Sequence, residues 1–98
     1  MNIDNQIVYA PGEIVTEKLV GNHSGVVIVL ALDKGTEIPT HTAHADVMAM
    51  CLEGEIEFVI DGHARLLHTH DYVVMKPDTE HSLRALQRSK LMVVKENA

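Results

Sequence analysis

The chain has 98 residues, with 8 Lys and Arg against 14 Asp and Glu, for a formal charge of −6. This length supports one domain with one modest core. The acidic balance excludes duplex nucleic-acid binding by counterion release, and Tyr9, Phe58 and Tyr72 are too few aromatics for a single-strand stacking platform. No run approaches the ~20 apolar residues of a membrane helix. The N-terminal stretch MNIDNQIVYAPGE lacks the basic start and apolar block of a secretory signal. A single Cys51 suits a reducing compartment, so a cytoplasmic protein is expected.

One domain over residues 1–98 is expected, with its core at 13–95 and an N-terminal edge strand at 6–9. Residues 13–20 alternate, with Ile14, Thr16, Lys18 and Val20 on one face and Val15 and Leu19 on the other. Residues 25–33 form a near-continuous apolar run, the pattern of a strand covered on both sides. Strand patterns follow at 46–53, 55–60, 64–69, 72–75, 81–86 and 90–95, and β-branched residues dominate most of them. In 55–60 the alternation is clean, with Ile56, Phe58 and Ile60 sharing a face. Asp61-Gly62 is the strongest turn signal, because a two-residue type I′ hairpin needs positive φ at both positions. Asp33-Lys34-Gly35, Glu53-Gly54 and Lys76-Pro77-Asp78 are weaker turn signals. No stretch sustains a 3.6-residue period. The pattern predicts an all-β fold, a double-sheet antiparallel barrel. An immunoglobulin-type sandwich would need a buried Trp and a Cys pair that this chain does not have.

Two stretches hold the chemistry-bearing residues, 35–62 and 72–86. The first has Gly35, five residues, then His41, and it closes on Gly54; the second reads Lys76-Pro77-Asp78-Thr79-Glu80-His81. In these the chain resembles the cupin superfamily, specifically the small single-domain cupins. Their first motif runs Gly, five residues, His-x-His, three or four residues, Glu, six residues, Gly. Their second is roughly Pro-x-Gly-x-x-His. The resemblance implies a small jelly-roll (cupin) β-barrel with a metal near its centre, held by three His and a Glu. His41 and His81 match the first and the second-motif His. The second His slot falls on Ala43, with His44 one place later, and the Glu slot falls on Val47, with Asp46 one place earlier. Lys76 and Asp78 stand where the second motif has Pro and Gly. The implied metal ligands are therefore His41, His44 and His81. Asp46 faces away if Val47 keeps the inward parity.

Three imidazoles suit Zn, Ni, Fe, Mn or Cu. A metal with open positions polarises a carbonyl, acidifies bound water or activates O₂. The resemblance thus implies a metal-dependent enzyme of oxygenase or isomerase type acting on a small organic molecule. The alternative is a non-catalytic small-molecule or metal-sensing module, with Ala43 and Val47 as marks of a decayed metal site; a structural dimerisation domain is the third reading. Val47, Ala49 and Cys51 share a parity that would line an apolar cavity, suited to a small ligand. With no Arg or Lys expected on matching inward positions, a phosphosugar or polyacid substrate is disfavoured. Met48, Met50 and Leu52 face the other way, toward a sheet or dimer seam. Glu53, Glu55 and Glu57 read as a solvated row, and His23, His63, His68 and His70 as surface residues. Edge strands need covering, so a two-fold homodimer is expected, with the apolar face of 26–32 as its seam.

Overall fold

Two antiparallel sheets stack face to face in the computed structural model, which describes residues 1–97. A short helix α1 (Ile3–Gln6) precedes β1 (Ile14–Asn22), β2 (Gly25–Leu32), β3 (Glu37–His41), β4 (Ala45–Glu53) and β5 (Ile56–Ile60). Then come β6 (His63–Leu67), β7 (Tyr72–Met75), β8 (His81–Ala85) and β9 (Ser89–Asn97). One sheet runs β1-β2-β9-β4-β7 and the other β3-β8-β5-β6. Neighbours in each sheet are mostly distant in sequence, which is the crossing pattern of a jelly roll.

The core lies between the sheets and follows the period-2 alternation. Ile56 and Phe58 on β5 are 0% and 2% exposed. On β4, Ala45, Val47, Ala49 and Cys51 are buried while Asp46 is exposed. Leu32, Leu67, Leu83 and Leu91 complete the packing from other strands. Each such large side chain contributes about 1.5–3 kcal/mol on burial. The Asp61-Gly62 hairpin forms as its turn chemistry requires: Ile60 pairs with His63, and φ is 48° at Asp61 and 80° at Gly62.

Two segments differ from the sequence reading. β3 occupies a stretch with no strand pattern in the sequence, because Pro39 and a bulge hide its alternation. The expected N-terminal edge strand at 6–9 does not form. Gln6 ends α1, which Asn2 caps by accepting the Asp4 N–H at 2.8 Å. Ile7 is 2% exposed against Val29 and Ala31, on the outer face of the five-stranded sheet. Tyr9 donates its hydroxyl to Glu53 Oε2 at 2.6 Å, with Arg88 and Lys90 over its ring. Burying Ile7 and satisfying Tyr9 on the chain's own sheet wins over an extended pairing. Among the described residues, no helix is long and apolar enough to cross a membrane.

Candidate ligand pocket

β3 and β8 pair so that His41 lies directly opposite His81. Directly paired residues of antiparallel strands share a face. From Ile38↔Leu83 to His41↔His81, β3 advances three residues and β8 two. The extra residue is a β-bulge at Pro39-Thr40. In an unbroken strand Ile38 and His41 would face opposite ways; the bulge turns both to the interior. Pro39 suits such a place, since it has no N–H to give to the ladder.

The two imidazole rings are 4.1 Å apart between centroids and tilted by 59°. Each Nδ1 lies 2.9 Å from a backbone oxygen two residues upstream, Pro39 O for His41 and Thr79 O for His81. A carbonyl only accepts, so each Nδ1 carries the hydrogen, and each Nε2 holds a lone pair when the ring is neutral. His81 is 7% exposed and stacks on Phe58 at 6.4 Å. Burial lowers its pKa below the ordinary imidazole value; His41 and Lys95 push the same way, against the Thr79 carbonyl. His81 is therefore neutral at pH 7.

The pair stands at a cavity of about 90 Å³ walled by Ile28, Leu30, Ile38, Val47, Ala49, Phe58, Met75, Leu83, Leu91 and Val93. An engineered cavity of about 150 Å³ takes benzene, so this space suits roughly four non-hydrogen atoms of a guest. The inward parity expected for Val47 and Ala49 holds. Cys51 is buried in the core and is not part of this lining. Burial pushes its thiol up to about 11, the state of an inert core residue.

The third polar group of the lining is Lys95. It pairs with Val47 across β4 and β9 and continues the inward row of Leu91 and Val93. This corrects the expectation that no inward position carries a cation. The alternation Leu91, Val93, Lys95 held the signal, but only the β4–β9 register shows that the row ends at the cavity. No carboxylate pairs with Lys95 among the described residues.

Of the three implied metal ligands, the fold brings His41 and His81 together and leaves His44 outside the lining. His44 Nδ1 lies 2.6 Å from Asp78 Oδ1, with the two side chains 90% and 64% exposed. Asp78 stands in the motif's Gly slot with φ of 66°, a left-handed conformation that Asp tolerates better than most residues. Its N–H donates to Ala43 O at 2.8 Å, tying the two turns together. The motif departures at His44 and Asp78 thus form one surface contact. Val47 fills the Glu slot with an apolar side chain, and Asp46 faces out. Among the described residues, no three His, Cys, Asp or Glu are grouped to hold a metal ion. A catalytic Zn²⁺ takes three protein ligands and a structural one takes four, whereas this cavity offers two imidazoles beside a lysine. The described residues thus bring two imidazole donors together, one fewer than a catalytic Zn²⁺ takes from protein. Of the other histidines, His68 lies 3.3 Å from Glu55, and His23, His63 and His70 are exposed.

A jelly-roll barrel with histidines from two separate stretches meeting at an apolar pocket defines a class of small β-barrel domains. The family model for the cupin domain matches residues 28–95, well over half of the chain, and the chain belongs to the cupin family. Among solved structures, it is similar to a cupin superfamily protein from Desulfitobacterium hafniense, with TM-score 0.95 at 13% identity, covering 100% of this chain and 90% of that one. It is similar to a conserved protein from Streptococcus pyogenes, with TM-score 0.93 at 23% identity, covering 100% of this chain and 86% of that one. It is similar to KdgF from a Halomonas species, with TM-score 0.82 at 19% identity, covering 98% of this chain and 94% of that one. At these identities the likeness is one of fold. No curated protein matches the chain.

Proposed function

We propose that the chain is a small-molecule-binding cupin whose guest sits in the barrel cavity with its polar end against His41 and His81. One observation carries this reading: two imidazoles 4.1 Å apart border an apolar cavity, each tied back through Nδ1, leaving two Nε2 lone pairs for a guest. Apolar walls with a few convergent polar groups are the usual make-up of a ligand pocket. The test is an NMR titration with small aliphatic alcohols and acids. Joint shifts at Ala49, Leu83 and Val93 are the expected result. Shifts confined to the outer sheet faces would refute the reading.

A divalent transition metal (Zn, Ni, Fe, Mn or Cu) on His41 and His81, serving an oxygenase or isomerase type of reaction, is the second reading. The two Nδ1 bonds to carbonyls favour it, because they resemble the outer-shell support of metal-bound histidines. Stoichiometric metal in protein purified without a tag, lost in both His41→Ala and His81→Ala, would establish it over the first.

The partner proposed is a second copy of the chain. Met48 lies between Val94 and Val74 on the outer face of the five-stranded sheet, where Val74 is 65% and Tyr72 59% exposed. Sedimentation at twice the chain mass is expected, and a single 10.8 kDa species would refute the dimer. The buried free thiol of Cys51 is in keeping with a cytoplasmic setting.

A further inference from the structure

We propose that the guest is a short-chain monocarboxylate with a hydroxyl beside the carboxyl group, its carboxylate held by Lys95 and its hydroxyl donated to the His41–His81 pair. This rests on the pocket reading above and names the chemistry the pocket selects. Among the described residues, the lining contains one lysine, two histidines and no acid. An ammonium beside apolar walls with no carboxylate partner is best satisfied by an anion that brings its own charge-assisted hydrogen bond. Lys95 lies directly across from Val47, the residue in the motif's Glu slot. An apolar side chain and a cation thus stand where an acid would hold a metal, and the sign of the preferred guest is reversed.

The other polar groups narrow the choice. Both Nδ1 atoms are already tied to Pro39 O and Thr79 O, so it is the Nε2 atoms of His41 and His81 that are left to accept from a guest. They bind a hydroxyl and oppose the oxygens of a phosphate. A second carboxylate would meet Leu83, Leu91 and Val93, with no donor to receive it. An amine or a divalent cation would meet Lys95. The cavity of about 90 Å³, with room for roughly four non-hydrogen atoms, then takes only the short carbon chain of such a guest, its oxygens lying against Lys95 and the histidine pair.

Calorimetric titration of the full chain tests the proposal. The probes are 2-hydroxybutyrate, its neutral isostere 2-hydroxybutyramide, butyrate, inorganic phosphate and zinc chloride. The expected result is at least tenfold tighter binding of 2-hydroxybutyrate than of any other probe. Lys95→Met is expected to reduce that affinity at least tenfold, to the level of the amide, and Lys95→Arg to keep most of it. Equal binding of acid and amide, unchanged in Lys95→Met, overturns the charge inference and leaves the pocket standing. Tighter binding of phosphate or zinc overturns it in favour of a different guest. If none of the organic probes binds, the pocket reading falls with it. The comparison of acid with amide in the unmutated chain decides the matter even if Lys95→Met does not fold.

Discussion

Replacing Gly54 by Ala strikes the joint between the β4–β5 and β8–β9 turns. Gly54 has φ of 92°, where an L side chain costs about 1–2 kcal/mol. A Cβ there would strike Ser89 Oγ and Arg88 O and lie 2.7 Å from Ser89 Cα. Two of those three contacts are with backbone, so no flexible side-chain end can yield. Relief requires the turns to part, breaking the bond from the Glu55 N–H to Ser89 Oγ at 3.0 Å and the one from Ser89 Oγ to Glu55 O at 3.2 Å. At about 1 kcal/mol each, these raise the cost to about 3–4 kcal/mol. With 4–8 °C lost per kcal/mol at this size, Tm is expected to fall by about 12–30 °C. Gly62→Ala is the internal control. Its φ is 80° but nothing lies within 4 Å of an added Cβ, so it incurs the conformational cost alone. Calorimetric scans of the two variants and the parent measure the difference. A fall for Gly54→Ala no larger than that for Gly62→Ala would refute the steric argument and the turn packing behind it.

Other consequences are open to simple assays. With its pKa pushed up to about 11 by burial, the Cys51 thiol is expected to resist a disulfide reagent at pH 8 in the native protein and to react at once in denaturant; rapid native labelling would show that the strand is open. The His81 pKa is lowered on folding from its ordinary 6.5, so the unfolded chain binds that proton more readily. Stability is then complete above about pH 6.5 and declines as pH falls below it. The slope of the denaturation midpoint between pH 7 and 5 is expected to shrink in His81→Gln, and an unchanged slope would contradict it. Tyr9→Phe removes the donor to Glu53, a bond to a charged group worth about 1.5–3 kcal/mol. It is expected to lower Tm and speed proteolysis at the N-terminal segment, and unchanged Tm would mean that this segment is not anchored there.

The barrel was legible because its strands announce themselves locally. Ile56, Phe58 and the Asp61-Gly62 turn need no information beyond six or seven neighbouring residues, and the structure follows them closely. β3 was not legible, since Pro39 breaks the alternation and the bulge reverses the parity on which His41 depends. The meeting of His41 with His81 came from family spacing, as no local pattern links residues forty apart. His44, implied as a ligand by the family resemblance, lies outside the pocket lining. Its placement depends on Asp78 adopting a left-handed conformation, which a motif with Gly at that slot does not foretell. Lys95 was written in the Leu91, Val93, Lys95 alternation, yet its role depends on facing Val47, and register between β4 and β9 is a tertiary fact. Ile7 and Tyr9 fold back onto the chain's own sheet, because the groove they fill exists only once β2 and β9 are paired.

The most direct measurement is long-range ¹H–¹⁵N correlation spectroscopy of the seven histidine rings at pH 7.5, with through-space contacts recorded between them. The expected spectrum has His41 and His81 as Nδ1–H tautomers with unprotonated Nε2, joined by a strong contact between their ring protons. An Nε2–H tautomer at either ring, or no contact between the two, would contradict the pocket described here.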